Sequence, residues 1–323
     1  MSVQTTPVQT ATDRRRIPFE GSLGDRIMRG LCVGGSLVVG LTLIAVIYQI
    51  IHGASPAISQ LGLGFLVHTA WAPNLKHFGA LPMLYGTGVV SAMALIIAVP
   101  VSLAIAIYLS MFAPKVVRAV VGPLVELLAA IPSVIVGFFG IIVLAPLIQK
   151  IEPGLHSALG FLGIFGPGQT TGLSIFTAGL LVTIMVIPII ASLSRDLFLS
   201  VPRELRDGAE ALGATQWEVI RGVVFPTTFS GVSAAVMLGL GRALGEAIAV
   251  ASVIGGGETI SKSLFTPGNT FAARITIEIQ YIENNLQRAS LFYLAVILLA
   301  MSLTVNLLAR AVARRYEVHR SIV

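Results

Sequence analysis

Six blocks of apolar residues, at about 31 to 53, 84 to 112, 120 to 148, 172 to 194, 227 to 254 and 291 to 309, dominate the chain. Each is near or above the roughly 20 residues that a helix needs to cross a bilayer. Only 11% of the 323 residues are charged, against about 25% in soluble domains. The expected fold is therefore an all-α membrane protein with six transmembrane helices, and extended disorder or a collagen-like repeat is ruled out. Cys32 is the single cysteine, so neither an intrachain disulfide nor a cysteine-rich metal site can form.

The net charge of +6 could point to nucleic acid, but the basic residues sit beside the apolar blocks, where they report topology. An even number of spans puts both termini on one side. That side and its loops hold Arg14, Arg15, Arg16, Arg26, Arg29, Lys115, Arg118, Arg195, Arg203, Arg206, Arg221, Arg310, Arg314, Arg315 and Arg320. The opposite loops hold only Lys76, Lys150, Lys262, Arg274 and Arg288. By the positive-inside rule the richer side is cytoplasmic. The expected organisation is a cytoplasmic tail over 1–30, a transmembrane domain over 31–309 and a cytoplasmic tail over 310–323. The first apolar run is too long for a typical signal-peptide core and reads as a retained signal-anchor. External segments at about 54 to 83, 149 to 171 and 255 to 290 are expected to form short helices and caps. Pro132, Gly137, Gly140 and Pro188 fall inside the third and fourth blocks, where ordinary helix packing accounts for them.

Several chemistries lack their residues. A nucleotide-cradling GxxxxGK[ST] loop needs a Gly-Lys pair, yet the four lysines follow Leu75, Pro114, Gln149 and Ser261. His52, His68, His77, His156 and His319 are scattered and offer no pair of metal ligands on one helix face. The expectation is a non-catalytic chain with no cofactor or metal, powered from elsewhere.

The longest cytoplasmic connection, about 198 to 226, reads as two short helices joined by a glycine turn. Arg203 to Leu212 contains good helix formers, Gly213 breaks the pattern, and Thr215 can cap a turn starting at Gln216. Leu205, Ala209 and Leu212 fall at helical spacing as one apolar stripe, which must lie on the chain's own bundle or enter a groove on a partner.

Asp207-Gly208-Ala209, then Gly213, then Val223-Val224-Phe225-Pro226 resembles the EAA loop of ABC importer permeases. Gly208 and Phe225 depart from the family's usual small residue and leucine, while the Gly213 to Pro226 spacing is kept. Two further stretches, 129–137 (AAIPSVIVG) and 241–250 (GRALGEAIAV), resemble permease subunits of phosphate-specific Pst importers, the second being closer to the PstC type than to the PstA type. The resemblance covers about residues 84 to 310. It implies a type I (MetI-like) ABC importer permease fold with one additional first helix. It also implies a loop around Asp207, Gly208, Ala209, Leu212, Gly213 and Pro226 that docks on an ATPase. The implied partners are a PstA-type permease as heterodimer, an ATPase dimer, an external phosphate-binding protein and the lipid bilayer, with no nucleic acid. Another oxyanion, sulfate, molybdate or tungstate, is the alternative cargo. A secondary transporter or channel without an ATPase is a different class, against which the loop argues.

Arg242 is the one basic residue within a span. Counted along a helix from Thr227 it falls near mid-membrane, where an arginine costs about 2.5 to 3.5 kcal/mol to insert. Glu246 is expected on the same face. The pair either serves the translocation path or is a structural ion pair, although Arg before Glu is the weaker order along a helix. Glu126, in the third block, either faces the cytoplasmic vestibule or pairs with a basic residue.

Overall fold

The computed structural model describes residues 23–167 and 171–320, with side chains up to Ala311. Most of the expected N-terminal tail, including Arg14, Arg15 and Arg16, lies outside the described residues, as do the side chains of Arg314, Arg315 and Arg320. The chain divides into two compact units, Met1–Gln49 and Ile50–Val323.

Among the described residues, six helical stretches are long and apolar enough to cross a membrane: Leu23–Leu66, Leu81–Phe112, Ser133–Leu162, Ile175–Ser200, Gln216–Gly245 and Asn285–Ala311. The first unit contributes the start of α1 (Leu23–Leu61), whose side chains are exposed there. The second unit is built around α2 (Leu81–Ile107) and α6 (Ile175–Ser200), its most extensively packed pair of helices. Between them in sequence lie α3 (Lys115–Ala129), α4 (Ser133–Phe139) and α5 (Ala145–Leu159). Along α2, Val90, Ala94, Ala98, Ser102 and Ala106 recur every four residues and are all buried. Small residues at that spacing let two backbones approach closely, which is how helices associate where lipid removes the hydrophobic drive. The Ser102 hydroxyl donates to the Ile187 carbonyl at 3.0 Å and ties α2 to α6 just before Pro188. Pro188 does not interrupt the fourth span, since α6 runs through it.

The third span departs from expectation. The apolar run from 120 to 148 is not one helix: α3 stops at Ala129, and α4 starts only at Ser133, after Pro132. Proline lacks the N–H that would continue the ladder and pushes the residue before it out of the helical region. The spanning segment consequently starts later and runs to Leu162. The first span is also longer than expected, continuing past residue 53 to Leu61 as helix.

Three wide π-turns, Tyr108–Phe112, Gly140–Leu144 and Ile220–Val224, each end two residues before a proline: Pro114, Pro146 and Pro226. At Pro146 and Pro226, where the chain continues as helix, shifting the hydrogen bond to the fifth residue, as from the Phe225 N–H to the Ile220 carbonyl, relieves the clash that a proline ring makes with the carbonyl four residues back.

The remaining elements are α7 (Arg203–Ala211), α8 (Gln216–Val219), α9 (Phe225–Gly245), α10 (Ile248–Val253), α11 (Phe271–Glu278) and α12 (Asn285–Arg320). Parts of the segments expected outside the membrane form short helices, Gly62–Leu66, Pro73–Leu75, Gly160–Leu162 and Phe271–Glu278, the last capped by Thr270, which accepts from the Ala273 N–H.

Candidate functional site

The connection between α6 and α9 is locally self-sufficient. Pro202 is the N-cap of α7, with φ of −52° and an extended ψ of 137°. At the other end the Gly213 N–H donates to the Glu210 carbonyl at 2.9 Å and the Ala214 N–H to the Ala209 carbonyl at 3.2 Å. This pair of bonds is a Schellman cap, which needs a left-handed residue after the helix, and Gly213 has φ of +89°. Thr215 then opens α8 with a reciprocal cap: its N–H donates to Glu218 Oε2 at 2.8 Å, and its Oγ1 accepts from the Glu218 N–H at 3.4 Å.

Ala209 and Ala214 pack on the buried cluster of Ala106, Phe198, Val201, Val219, Val224 and Val232, which fixes the loop against the bundle. Arg206 adds a bond to the Val201 carbonyl at 3.2 Å. The expected single stripe therefore divides. Ala209 faces the chain's own core, whereas Leu205, Leu212 and Trp217 are exposed, Leu212 by 91%. Asp207 and Gly208 lie on the exposed surface, with open space where a Gly208 side chain would stand. Pro226 sits in the first turn of α9, behind its π-turn.

The second element of the site is a break in the fifth span. The expected helix over 227–254 ends at Gly245; Glu246 is extended, with φ of −70° and ψ of 119°, and α10 restarts at Ile248. Arg242 is thus in the last turn of α9, not at the middle of a continuous helix. A cation there is favoured by the helix dipole. Glu246 lies beyond the helix yet still beside Arg242: Nη2 to Oε2 is 3.7 Å, with the glutamate side chain 8% exposed and the arginine 36%. The other carboxylate oxygen accepts from the Ala249 N–H at 3.4 Å, so Glu246 bridges the break.

The arginines differ in how closely their guanidinium groups are paired with carboxylates. Arg195 Nη2 is 2.6 Å from Glu126 and 2.8 Å from Asp196, which resolves Glu126 as the partner of a basic residue. Arg274 reaches Glu258 at 2.9 Å and Glu278 at 3.0 Å, and it lies 5.3 Å from the centre of the Trp71 ring. Arg242, by contrast, makes no hydrogen bond to a described residue; its buried Nε lacks a partner, as Arg274 Nε also does. A guanidinium carries five donors and no acceptor. Held at 3.7 Å from its counter-ion, Arg242 keeps its donors for an anion, whereas Arg195 and Arg274 spend part of theirs on close carboxylates.

The two broken spans meet. α10 packs on α4, where a side chain added at Gly137 would meet Ala249 Cα at 3.1 Å and Ser252 Oγ at 3.0 Å. Discontinuous helices facing one another are a recurrent way for transporters to place polar groups on a path through the bilayer. The Arg274 cluster escaped the sequence reading, which counted that residue as a loop charge. Its signal was Thr270, Arg274 and Glu278 at four-residue spacing.

A broken-helix bundle carrying a self-capped loop between its fourth and fifth spans defines a membrane permease subunit. Residues 98–318 match the family described as "Binding-protein-dependent transport system inner membrane component", and the chain belongs to that family. It is 41% identical over 286 residues to the phosphate transport system permease protein PstC of Pasteurella multocida (strain Pm70), covering 87% of this chain and 89% of that one. The PstC protein of Xylella fastidiosa (strain Temecula1) is 38% identical over 319 residues, 98% of each chain. A crystal structure of a bacterial alginate ABC transporter, in complex with an alginate pentasaccharide-bound periplasmic protein, shares the fold. The TM-score is 0.57 at 16% identity, over 91% of this chain and 98% of that one. The type I importer permease fold and the multi-pass membrane placement expected from the sequence are those of this family.

Proposed function

We infer that this chain is the PstC-type permease subunit of an ATP-driven importer that carries inorganic phosphate across the cytoplasmic membrane. The observation that carries the reading is the unsaturated Arg242 guanidinium at the break of the fifth span, in a chain whose relatives are named for phosphate transport. The partners are a PstA-type permease in a pseudo-symmetric pair, an ATPase dimer that supplies the energy, and an external binding protein that delivers phosphate. Closure of the ATPases on ATP draws the two coupling loops together and opens the path outward. Arg242 offers charge and donors to the anion, and Glu246 keeps it from being trapped there.

Deleting the chain should abolish high-affinity uptake of labelled phosphate, and restoring it should return uptake only where the ATPase is present. Excess sulfate, molybdate or tungstate should leave that uptake intact. Strong competition by one of these would reassign the cargo, and uptake without the ATPase would place the chain in a different class of transporter.

The basic-residue bias supports cytoplasmic termini. In a Cys32→Ser background, single cysteines at Lys76 and Lys262 should react with an impermeant thiol reagent in intact cells, whereas one at Glu210 should react only after permeabilisation. The reverse pattern would invert the topology.

A further inference from the structure

Between the first and second spans, His68, Lys76 and His77 line one concavity of about 410 Å³, floored by Leu61 and Phe78. No carboxylate lines it. Glu258 and Glu278 are engaged by Arg274, and none of the three basic side chains has an ion-pair partner among the described residues. The wall is preformed. The Ala72 and His77 backbones exchange hydrogen bonds of 2.8 and 3.2 Å, and the Ala80 N–H donates to the Phe65 carbonyl at 2.7 Å. Phe65 stacks on Tyr293 at 4.6 Å, and Trp71 meets Phe78 edge to face at 5.1 Å. Lys76 has φ of +55°, the one positive value at a non-glycine among the described residues. Left-handed backbone disfavours a side chain with a Cβ, so a lysine held there is an outlier from which function can be argued.

Two further observations choose the ligand. First, the segment lies where the stretch Leu23–Leu66 ends and Leu81–Phe112 begins, which is a membrane boundary. Second, Leu63, Val67 and Leu75, on the same segment, are exposed by 78, 65 and 71%. Three large apolar side chains beside three basic ones fit a surface that meets acyl chains and headgroups together. A pocket for an ion captured from water has no use for that apolar flank.

We propose that this concavity binds the phosphodiester headgroup of an anionic phospholipid in the external leaflet. Lys76 supplies the charge, His68 and His77 supply ring N–H donors, and Leu63, Val67 and Leu75 stand at the acyl boundary. The inference rests on the six-span reading and not on the nature of the cargo, so failure of the phosphate uptake assays leaves it standing.

The test uses the full chain in nanodiscs of phosphatidylcholine and phosphatidylglycerol, with the lipids retained after detergent release counted by native mass spectrometry. The unsubstituted chain should retain phosphatidylglycerol in preference to phosphatidylcholine. His68→Gln/Lys76→Gln/His77→Gln should lower that retention about fivefold or more. Lys76→Arg should restore it in part when the histidines are kept, and Lys262→Gln, outside the concavity, should change nothing. All substituted side chains are exposed, so elution volume and helicity should be unaltered. Equal retention by the triple variant would overturn the proposal. It would also be overturned if inorganic phosphate displaced the lipid and labelled phosphate bound saturably to the unsubstituted chain alone, since the site would then belong to the free oxyanion.

Discussion

Arg242→Gln is expected to lower ATP-driven phosphate uptake by about 100-fold or more while the chain still inserts and assembles. A factor of that size corresponds to about 3 kcal/mol of barrier, the scale on which a single donor aimed at developing or passing negative charge acts in a water-poor site. The substitution also leaves Glu246, only 8% exposed, as a buried carboxylate without its counter-ion; breaking a fully buried pair from one side costs about 3 to 5 kcal/mol, and the loss here is smaller because Arg242 is 36% exposed and 3.7 Å away. Loss of uptake alone would therefore not separate transport from stability. Arg242→Gln/Glu246→Gln removes both charges and leaves a polar side chain at each position, so it should assemble normally and still not transport. Arg242→Met/Glu246→Leu carries the opposite risk for this account. Replacement of a buried ion pair by apolar residues is often neutral or stabilising, so full uptake in that variant would reduce the pair to a structural contact.

Leu212→Asp should abolish uptake and uncouple ATP hydrolysis from phosphate delivery, with membrane abundance unchanged. Leu212 is 91% exposed, and substitutions at such positions usually alter stability by no more than about 0.5 kcal/mol. An effect on transport must then come from a surface outside the chain. Gly213→Val acts on the same contact by a different route. It forces a β-branched residue to φ of +89°, at a cost of about 1 to 2 kcal/mol, and swings α7 relative to the capped start of α8. Co-purification ratios and ATP hydrolysis with and without phosphate-loaded binding protein would read both variants. Normal transport at normal ATPase stoichiometry would contradict the docking role.

The number and rough positions of the spans were legible because hydropathy depends on composition alone. So were the α7 boundaries, the turn at Gly213 and the cap at Thr215, since each is set by residues within one turn of itself. The helix breaks were not. The residues from 120 to 148 and from 227 to 254 are uncharged apart from Glu126 and the Arg242–Glu246 pair, and such a run has the same hydropathy whether its backbone is continuous or interrupted. Pro132 carried a local signal, but Pro100 and Pro188 sit inside unbroken helices. Proline by itself therefore does not decide. At Gly245-Glu246 the deciding contact is the packing of α10 on α4, between residues more than a hundred apart. The burial of Arg274 between Glu258, Glu278 and Trp71 is likewise a tertiary event, as is the split of the Leu205, Ala209 and Leu212 stripe between core and surface.

The most direct measurement reconstitutes the chain with its sister permease and ATPase in proteoliposomes, adds phosphate-loaded binding protein outside, and follows labelled phosphate entering after ATP is supplied within. The account predicts ATP-dependent accumulation with the unsubstituted chain, and ATP hydrolysis without accumulation for Arg242→Gln/Glu246→Gln in an intact complex. Accumulation at an undiminished rate in that doubly neutral variant would contradict it.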